Sequence, residues 1–166
     1  MVIIGLGANL PSGAEKARNP AETLHDALCH LGNQDVVIGQ VSRFYRTPAW
    51  PDPADPPFVN AVALVETKRD PLKFLEMLHA TERVFGRVRT MPNAPRTLDL
   101  DLLDYDGLVQ LGPPELPHPR MTQRAFVLVP LSDVAPHWRD PKTGQSLAEL
   151  IGRLPVSDRA AVEPIS

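Results

Sequence analysis

Prolines are concentrated in two short segments of this chain, and they restrict where regular secondary structure can form. The chain contains 19 prolines, of which five lie within residues 48–57 (PAWPDPADPP), and a second group lies within residues 113–119. Proline lacks a backbone N–H and clashes with the preceding helical turn, so neither segment can be a helix or a central strand. We therefore predict two long, semi-rigid loops, and long loops in a compact domain are often functional.

The N-terminal segment has the pattern of a buried strand followed by a helix. Residues 2–8 are almost entirely apolar, and Gly5 and Gly7 lie on the same face because side chains alternate along a strand. Two glycines on one face let another backbone or a ligand approach closely. A capping box at Asn19–Glu22 then predicts the start of a helix, and Gly32 can end it.

The rest of the chain predicts a β-α-β-β-α-β order. The further predicted elements are strands over residues 36–47, 58–67 and 97–105, a helix from Pro71 to about Gly86, and short helices near 122–133 and 146–154. This order is that of a ferredoxin-like α+β fold, so we expect a mostly antiparallel sheet, the two main helices on one face, and a C-terminal extension. No repeat or linker divides the sequence, so we predict a single domain over residues 1–166.

The fourth predicted strand carries an alternation of leucine and aspartate. Leu98, Leu100 and Leu102 point to one face, which can pack against the helices. Asp99 and Asp101 point to the other face, roughly 7 Å apart, where they repel each other unless a cation offsets their charge. Such pairs suit Mg²⁺, which prefers oxygen ligands and completes its shell with water and phosphate oxygens. The alternative is a solvent-facing strand, although aspartate is disfavoured in strands.

Arginines cluster around the segment that precedes these aspartates. They are Arg83, Arg87, Arg89 and Arg96, in a chain whose formal net charge is −3. A basic cluster beside paired acids is typical of a polyphosphate site with a metal ion. An ordinary solvated charged face is the alternative. The acidic balance of the whole chain argues against a nucleic-acid-binding protein.

Other features of the sequence are typical of a cytoplasmic protein. Cys29 is the only cysteine, so no internal disulfide and no thiolate metal cluster can form within the chain. No apolar run approaches the ~18 residues that a membrane span needs. No basic region precedes the first apolar segment, so we expect no signal peptide.

Several blocks of the sequence resemble the 6-hydroxymethyl-7,8-dihydropterin pyrophosphokinase family. The block APRTLDLDLL at residues 94–103 resembles the family's signature. Further matching blocks follow in the family's order: GLGANL at 5–10, SRFYRTP at 42–48, FVNA at 58–61, FGRVR at 85–89, LPHPR at 116–120 and RAFVL at 124–128. The resemblance spans residues 2–136. It implies transfer of diphosphate from ATP to the hydroxymethyl oxygen of a reduced pterin, with release of AMP, in folate biosynthesis.

The resemblance also implies which residues bind the nucleotide and its metal ions. Asp99 and Asp101 would bind two Mg²⁺ ions, and Arg87 and Arg96 would be catalytic arginines whose forked donors suit phosphate oxygens. The positions that match nucleotide contacts are His118, Arg124 and Glu82, and Arg120 belongs to the same block as His118. Each has a plainer alternative: a helix C-terminal cation for Arg87, a structural histidine for His118 and a surface charge for Glu82.

The pterin site is implied in the same way. Phe58 and Phe126 match two rings between which the pterin stacks, and Asn60 can read its amide-like edge. The alternative for both phenylalanines is a place in the core. Further matching positions are Thr47, Pro48 and Gly7. The partners implied are ATP and the pterin, bound by a monomer, with no nucleic acid and no membrane.

Some positions depart from the family's pattern. The loop over residues 90–95 lacks a tryptophan and an arginine that some relatives have, His79 replaces a glutamine, and Pro113 and Glu115 replace an arginine and a threonine. The role of Trp50 stays open. Two alternative functions also remain. One is a non-catalytic pterin- or nucleotide-binding module on the same fold, and the other is an RNA-binding domain, whose aromatic strand motif this chain lacks.

Overall fold

A six-stranded sheet forms the centre of the part of the chain that this computed structural model describes, residues 1–13, 18–50, 52–87 and 95–165. The strands are β1 (Val2–Ala8), β2 (Val37–Val41), β3 (Tyr45–Thr47), β4 (Phe58–Glu66), β5 (Asp99–Tyr105) and β6 (Glu163–Pro164). Their order is β5-β1-β4-β3-β6, with β2 also paired to β4. The pairings within the described residues are antiparallel, which confirms the predicted α+β fold of ferredoxin-like order.

The described residues form five α-helices. They are α1 (Pro20–Gly32), α2 (Pro71–Val84), α3 (Ala125–Val134), α4 (Leu147–Arg153) and α5 (Val156–Ala160). The capping box of α1 is confirmed, since Asn19 Oδ1 accepts the Glu22 backbone N–H at 3.0 Å and Glu22 Oε2 accepts that of Asn19 at 2.9 Å. Helix α2 ends just before Gly86, whose φ of +78° is a conformation that glycine adopts at low cost.

One face of the sheet packs against α1 and α2. Leu98, Leu100 and Leu102 are buried there with Leu24 of α1 and Phe74 of α2. The predicted leucine face of β5 is therefore confirmed. Burial of an aliphatic or aromatic side chain of this size stabilises a fold by about 1.5–3 kcal/mol, so this layer holds β5 firmly against the helices.

The C-terminal extension covers the opposite face of the sheet. Helices α3 and α4 bury a second cluster that includes Leu103, Leu128 and Trp138. The sequence pattern predicted that the two main helices lie on one face of the sheet, and the structure has them there. It did not predict the second helical layer on the other face. Phe126 in the first turn of α3 and Arg124, which directly precedes the helix, line the same cleft as the polar residues of the strands.

The sequence predicts one strand over residues 36–47, and this prediction is wrong. The segment forms two short strands, β2 and β3, because Ser42 interrupts the ladder: its side-chain Oγ, in place of a carbonyl, accepts the Val62 backbone N–H at 3.0 Å. The register shifts within β2 as well. Val37 and Val41 are consequently exposed, whereas Tyr45 is buried.

The end of the described chain returns to the sheet. Strand β6 pairs with β3, and the Ile165 backbone N–H donates to the Phe44 carbonyl at 2.8 Å. Helix α5 and strand β6 are not predicted from the sequence pattern. The helices of the described residues are all too short or too polar to cross a bilayer.

Candidate active site

A cleft of about 610 Å³ lies where the last residues of β1 and β3 meet the first residues of β4 and β5. The antiparallel register explains why these residues come together, since Gly7 of β1 is paired with Asn60 of β4 on one side and with Asp99 of β5 on the other. The predicted site residues all line the cleft except His118. Residues that the sequence resemblance placed in separate blocks are thus neighbours in the fold.

Asp99 and Asp101 point from β5 into the cleft. Their side chains are 24% and 35% exposed, whereas the leucines that alternate with them are buried. Burial, together with the negative charge of Asp99, raises the pKa of Asp101 above its ordinary range. A nearby cation would offset this unfavourable concentration of negative charge.

Two arginines neutralise Asp99. Arg96 Nη1 donates to Asp99 Oδ2 at 2.7 Å, and Arg87 Nη1 contacts Asp99 Oδ1 on the other side. Arg87 lies just past the end of α2, where its backbone N–H donates to the Glu82 carbonyl at 3.0 Å. It therefore has the position of a helix C-terminal cation, and its guanidinium also reaches the aspartate of the cleft.

Glu82 is a buried carboxylate that joins α2 to β5. It is 2% exposed, so a surface charge is excluded as its role. Its Oε1 accepts the Leu100 backbone N–H at 2.9 Å and contacts Arg87 Nη1. Because Leu100 stands between the two aspartates, this bond fixes the position of the strand segment that carries them.

Aromatic rings form the other part of the cleft. The guanidinium of Arg96 lies 5.8 Å from the centroid of the Phe58 ring, and that of Arg124 lies 5.4 Å from the Phe126 ring. Phe126 is 37% exposed, so it is not a core residue. Arg124 Nη1 is also 3.5 Å from Asp101 Oδ2. Each phenyl ring is therefore in contact with a cation that also faces one of the aspartates.

A small polar floor lies beside these rings. Asn60 and Thr47 are buried, and Asn60 Nδ2 donates to Thr47 Oγ1 at 2.8 Å. A Cβ on Gly7 would lie 3.1 Å from Asn60 Oδ1, so the glycine keeps the space above this amide open. The bond fixes both side chains, and Asn60 Oδ1 lies on the side of Gly7.

His118 stands beside the cleft rather than in its wall. Its backbone N–H donates to the Leu103 carbonyl at 2.7 Å, and its Nδ1 accepts the Arg120 backbone N–H at 3.2 Å. Burial lowers the pKa of His118, against the opposing effect of the Asp101 charge. The lowered pKa favours the neutral imidazole, whose Nδ1 is the acceptor for the Arg120 N–H.

The structure adds residues that sequence reasoning did not assign. Asn9, which directly follows β1, donates from Nδ2 to the Pro56 carbonyl at 3.0 Å and accepts the Arg96 backbone N–H on Oδ1 at 2.8 Å. An asparagine at the end of a buried strand was the available signal. Trp50 and His79 also line the cleft.

The other departures from the family pattern lie away from the cleft or outside the described residues. Glu115 pairs with Lys142 at 3.2 Å on the surface, and Pro113 is exposed. The 90–95 loop, where the sequence departs from the family pattern, lies outside the described residues except for Pro95. Arg89 is outside them as well.

The carboxylates of the cleft suit a magnesium ion whose remaining ligands are water and substrate phosphate oxygens. Within the described ranges no group of three or more His, Cys, Asp or Glu side chains could hold a metal by itself. Asp99 and Asp101 offer carboxylate oxygens in a partly open position. Mg²⁺ is usually bound through one or two carboxylates, with water and substrate phosphates completing its shell, so the two residues suit that ion.

Comparisons with known proteins show which family the chain resembles. A family model described as 7,8-dihydro-6-hydroxymethylpterin-pyrophosphokinase matches residues 3–136. A 2-amino-4-hydroxy-6-hydroxymethyldihydropteridine pyrophosphokinase of Pseudomonas aeruginosa is 40% identical, with 93% of this chain and 91% of the relative covered. The enzyme of that name from Synechocystis is 34% identical, with 99% of this chain and 80% of the relative covered.

The fold is also similar to that of solved structures. A crystal structure of Plasmodium falciparum HPPK-DHPS with pterin and p-hydrobenzoate has a TM-score of 0.73 and 13% identity, and the match covers 99% of this chain and 47% of that chain. The present chain therefore spans less than half the length of that protein. At this identity the similarity concerns the fold alone.

Proposed function

The chain belongs to the 7,8-dihydro-6-hydroxymethylpterin-pyrophosphokinase family, and we propose that its cleft transfers a diphosphate group from ATP to the hydroxymethyl oxygen of 6-hydroxymethyl-7,8-dihydropterin. AMP is the second product. The observation that carries this proposal is the convergence of Asp99, Asp101, Arg87 and Arg96 with the rings of Phe58 and Phe126 in one cleft. Few ligand pairs other than a polyphosphate and a flat ring suit both halves.

The reaction joins the two halves of the cleft. The hydroxymethyl oxygen forms a bond to the β-phosphorus of ATP, and the bond from that phosphorus to the oxygen shared with the α-phosphate breaks. The hydroxyl proton is released, and AMP leaves with the shared oxygen. Negative charge grows on that oxygen during transfer, so fixed cations in a cleft with little water lower the barrier.

Arg87 and Arg96 are the cations we assign to this charge. Both guanidinium groups pair with Asp99 in the structure, and they are largely buried, with 14% and 18% of their side chains exposed. Phosphate oxygens accept the same forked donors as a carboxylate does. The arginines can therefore exchange Asp99 for the nucleotide without passing through an unpaired buried charge, which would be costly.

Asp99 and Asp101 would hold Mg²⁺, and we propose two ions because ATP carries about four negative charges. When bound, Mg²⁺ neutralises phosphate charge and holds the reacting groups in line. Glu82 keeps the aspartates in place through the Leu100 backbone N–H. Arg124 and His118 lie near Asp101, and we assign both to the nucleotide phosphates.

The aromatic half of the cleft suits the pterin. Phe58 and Phe126 give apolar faces to a flat ring, which gains from burial and dispersion when it stacks on them. Asn60 offers hydrogen bonds to the pterin's edge; Thr47 ends the neighbouring strand β3, and Pro48 follows it in the cleft wall. Gly7 leaves the space that this ring needs.

AMP release is the direct test of the reaction. Purified protein with MgATP and hydroxymethyl-dihydropterin should form AMP and the diphosphorylated pterin in equal amounts, and omission of either the pterin or Mg²⁺ should stop both. ADP as the only nucleotide product would refute diphosphate transfer. Binding of both ligands without turnover would instead indicate a binding module.

Substitution of the aspartates tests the assigned roles. We expect Asp99→Ala and Asp101→Ala each to lower kcat by at least a thousandfold while circular dichroism and the melting temperature show a folded protein. The residues are partly exposed, so their removal leaves the two hydrophobic clusters intact. An unfolded variant would show that the aspartate concerned is structural.

We further propose that residues 1–166 form one domain that acts as a monomer in the cytoplasm. The single cysteine fits a reducing compartment, and the cleft is built from one copy of the chain. Light scattering on the active fraction measures the oligomeric state, and cell fractionation measures the location. A dimer as the only active species would contradict the first part.

A further inference from the structure

Trp50 is an exposed tryptophan in the wall of the cleft. It lies three residues beyond Thr47, the last residue of β3, and it is 72% exposed. Among the large apolar side chains that are exposed in the described part of the chain, Trp50 and Phe126 are those that line the cleft. An indole in this position leaves a large apolar surface in water, next to the proposed substrate site.

The packing of the protein does not account for this side chain. The chain has two tryptophans, and Trp138 is the one used for structure: it is 6% exposed, and its Nε1 donates to Asp104 Oδ2 at 2.7 Å. Ala49, which precedes Trp50, is buried and fixes the backbone beside β3. The segment is therefore anchored by its small residue, and the large one is left to face the cleft.

The sequence around Trp50 also limits its freedom. Prolines at positions 48 and 53 restrict the backbone torsion angles on either side of Trp50. Tryptophan itself has only two side-chain torsions, so little conformational entropy is lost when a ligand packs against it. A large rigid ring on a restricted segment is well suited to bind a flat ligand.

We propose that Trp50 is a further pterin-binding residue, whose indole packs against an edge of the flat ring that stacks between Phe58 and Phe126 and is contacted by Asn60. This inference rests on the proposed function. It favours the pterin over the adenine of ATP because Trp50 is tied by the chain to Thr47, which is hydrogen-bonded to Asn60. Three residues of extended chain span at most about 11 Å, so the indole stays near the pterin's polar contacts.

Calorimetric binding constants of single variants test this assignment. The ligands are hydroxymethyl-dihydropterin and the α,β-methylene analogue of ATP with Mg²⁺, in which the bond that breaks is replaced. We expect Trp50→Ala to weaken pterin binding by about tenfold to a hundredfold, as loss of an aromatic edge contact with its buried area implies. The affinity for the ATP analogue should change less than twofold.

Two further variants serve as controls. Trp50→Phe keeps a ring and should restore pterin affinity to within about threefold of the wild type. Leu111→Ala removes an apolar side chain that is 87% exposed and does not line the cleft, and it should change neither affinity. Protection of the wild-type fluorescence from acrylamide on pterin binding, absent in Trp50→Phe, would show the indole being covered directly.

Each contrary result has a distinct meaning. Unchanged pterin affinity in Trp50→Ala, with normal AMP release by the wild type, overturns the inference and leaves the proposed function standing. Selective loss of ATP-analogue binding assigns the indole to adenine, and equal loss of both ligands assigns it to the fold of the loop. Both results overturn the inference. A wild-type protein that binds no pterin overturns the inference and the proposed function together.

Discussion

The Asn9 side chain connects the segments at Pro56 and Arg96, which flank the cleft. Its removal should leave these two segments less firmly held to each other. The side chain is 2% exposed. Its Nδ2 donates to the carbonyl of Pro56 in the proline-rich segment, and its Oδ1 accepts the backbone N–H of Arg96. The Asn9 and Leu10 backbone N–H groups add two bonds to the Arg96 carbonyl, at 3.1 and 3.2 Å. Arg96 is therefore held to the end of β1 by both of its backbone polar groups.

The expected cost of Asn9→Ala follows from the two side-chain hydrogen bonds that it removes. Each bond contributes about 0.5–1.5 kcal/mol net, and a buried N–H that loses its acceptor costs more than one that reaches water. Both bonds are partly buried, but Pro56 itself is exposed, so its carbonyl can reach water more readily than the Arg96 N–H can. We therefore expect the free energy of unfolding to fall by about 2 kcal/mol, most of it from the Arg96 side.

The activity of Asn9→Ala should fall further than its stability explains. An error of about 1 Å in the placement of a catalytic group can cost roughly a hundredfold in rate. With Arg96 less firmly held, we expect kcat to fall by about tenfold to a hundredfold, and the KM for ATP to change much less. Denaturant unfolding measures the stability, and steady-state AMP release at a temperature where the variant is fully folded measures kcat and KM.

Ser12→Ala is a matched control for this variant. Ser12 is also buried, and its Oγ is 2.6 Å from Thr23 Oγ1, away from the cleft. It should lose about 1 kcal/mol of stability and keep its kcat. Wild-type kcat in folded Asn9→Ala would refute the reasoning, since it would show that Arg96 is placed without this side chain. If Ser12→Ala also lost kcat, and by as much as Asn9→Ala, the reasoning would be refuted as well, because the loss would then not depend on Arg96.

Three other substitutions test separate parts of the structure. Gly7→Ala places a Cβ 3.1 Å from Asn60 Oδ1; we expect it to displace the amide and weaken pterin binding at least tenfold in calorimetry, with unchanged ATP affinity as the check. Phe126→Ala should weaken pterin binding far more than ATP binding, and equal losses would point to a packing role. Asp104→Ala removes a 2% exposed carboxylate that accepts from Trp138 at 2.7 Å; denaturation should show a loss of about 2–3 kcal/mol, and a folded variant without activity would contradict its purely structural role.

Local signals predicted the regular elements well where neighbouring residues decide the conformation. The cap of α1 depends on residues three apart. The alternation in β5 likewise follows from strand geometry. In each case the interaction lies within a few residues, so the sequence contains all of the information.

Prediction failed where a distant partner decides the conformation. Residues 36–47 have a continuous strand pattern, but Ser42 bonds to Val62, twenty residues away, and breaks the ladder. The second helical layer is another case, because the apolar faces of α3 and α4 do not indicate which side of the sheet they cover. Neither partner can be identified from periodicity.

The candidate site shows the same division. Family blocks in the sequence indicated which residues belong to it, and the cleft brings these together except for His118. The buried position of Glu82, the double role of Asn9 and the exposure of Trp50 are set by contacts between elements. No spacing rule within one element predicts them.

The sequence by itself determined that β5 separates leucines from aspartates, that the first helix starts at a capping box, and that two proline-rich segments are loops. Each depends on backbone geometry and on short-range hydrogen bonds, which one segment carries alone. Only the tertiary structure decided that Arg87 and Arg96 converge on Asp99 while Phe58 and Phe126 lie across the same cleft. That arrangement comes from the register of antiparallel strands and the packing of helices on both faces, and both are properties of the whole chain.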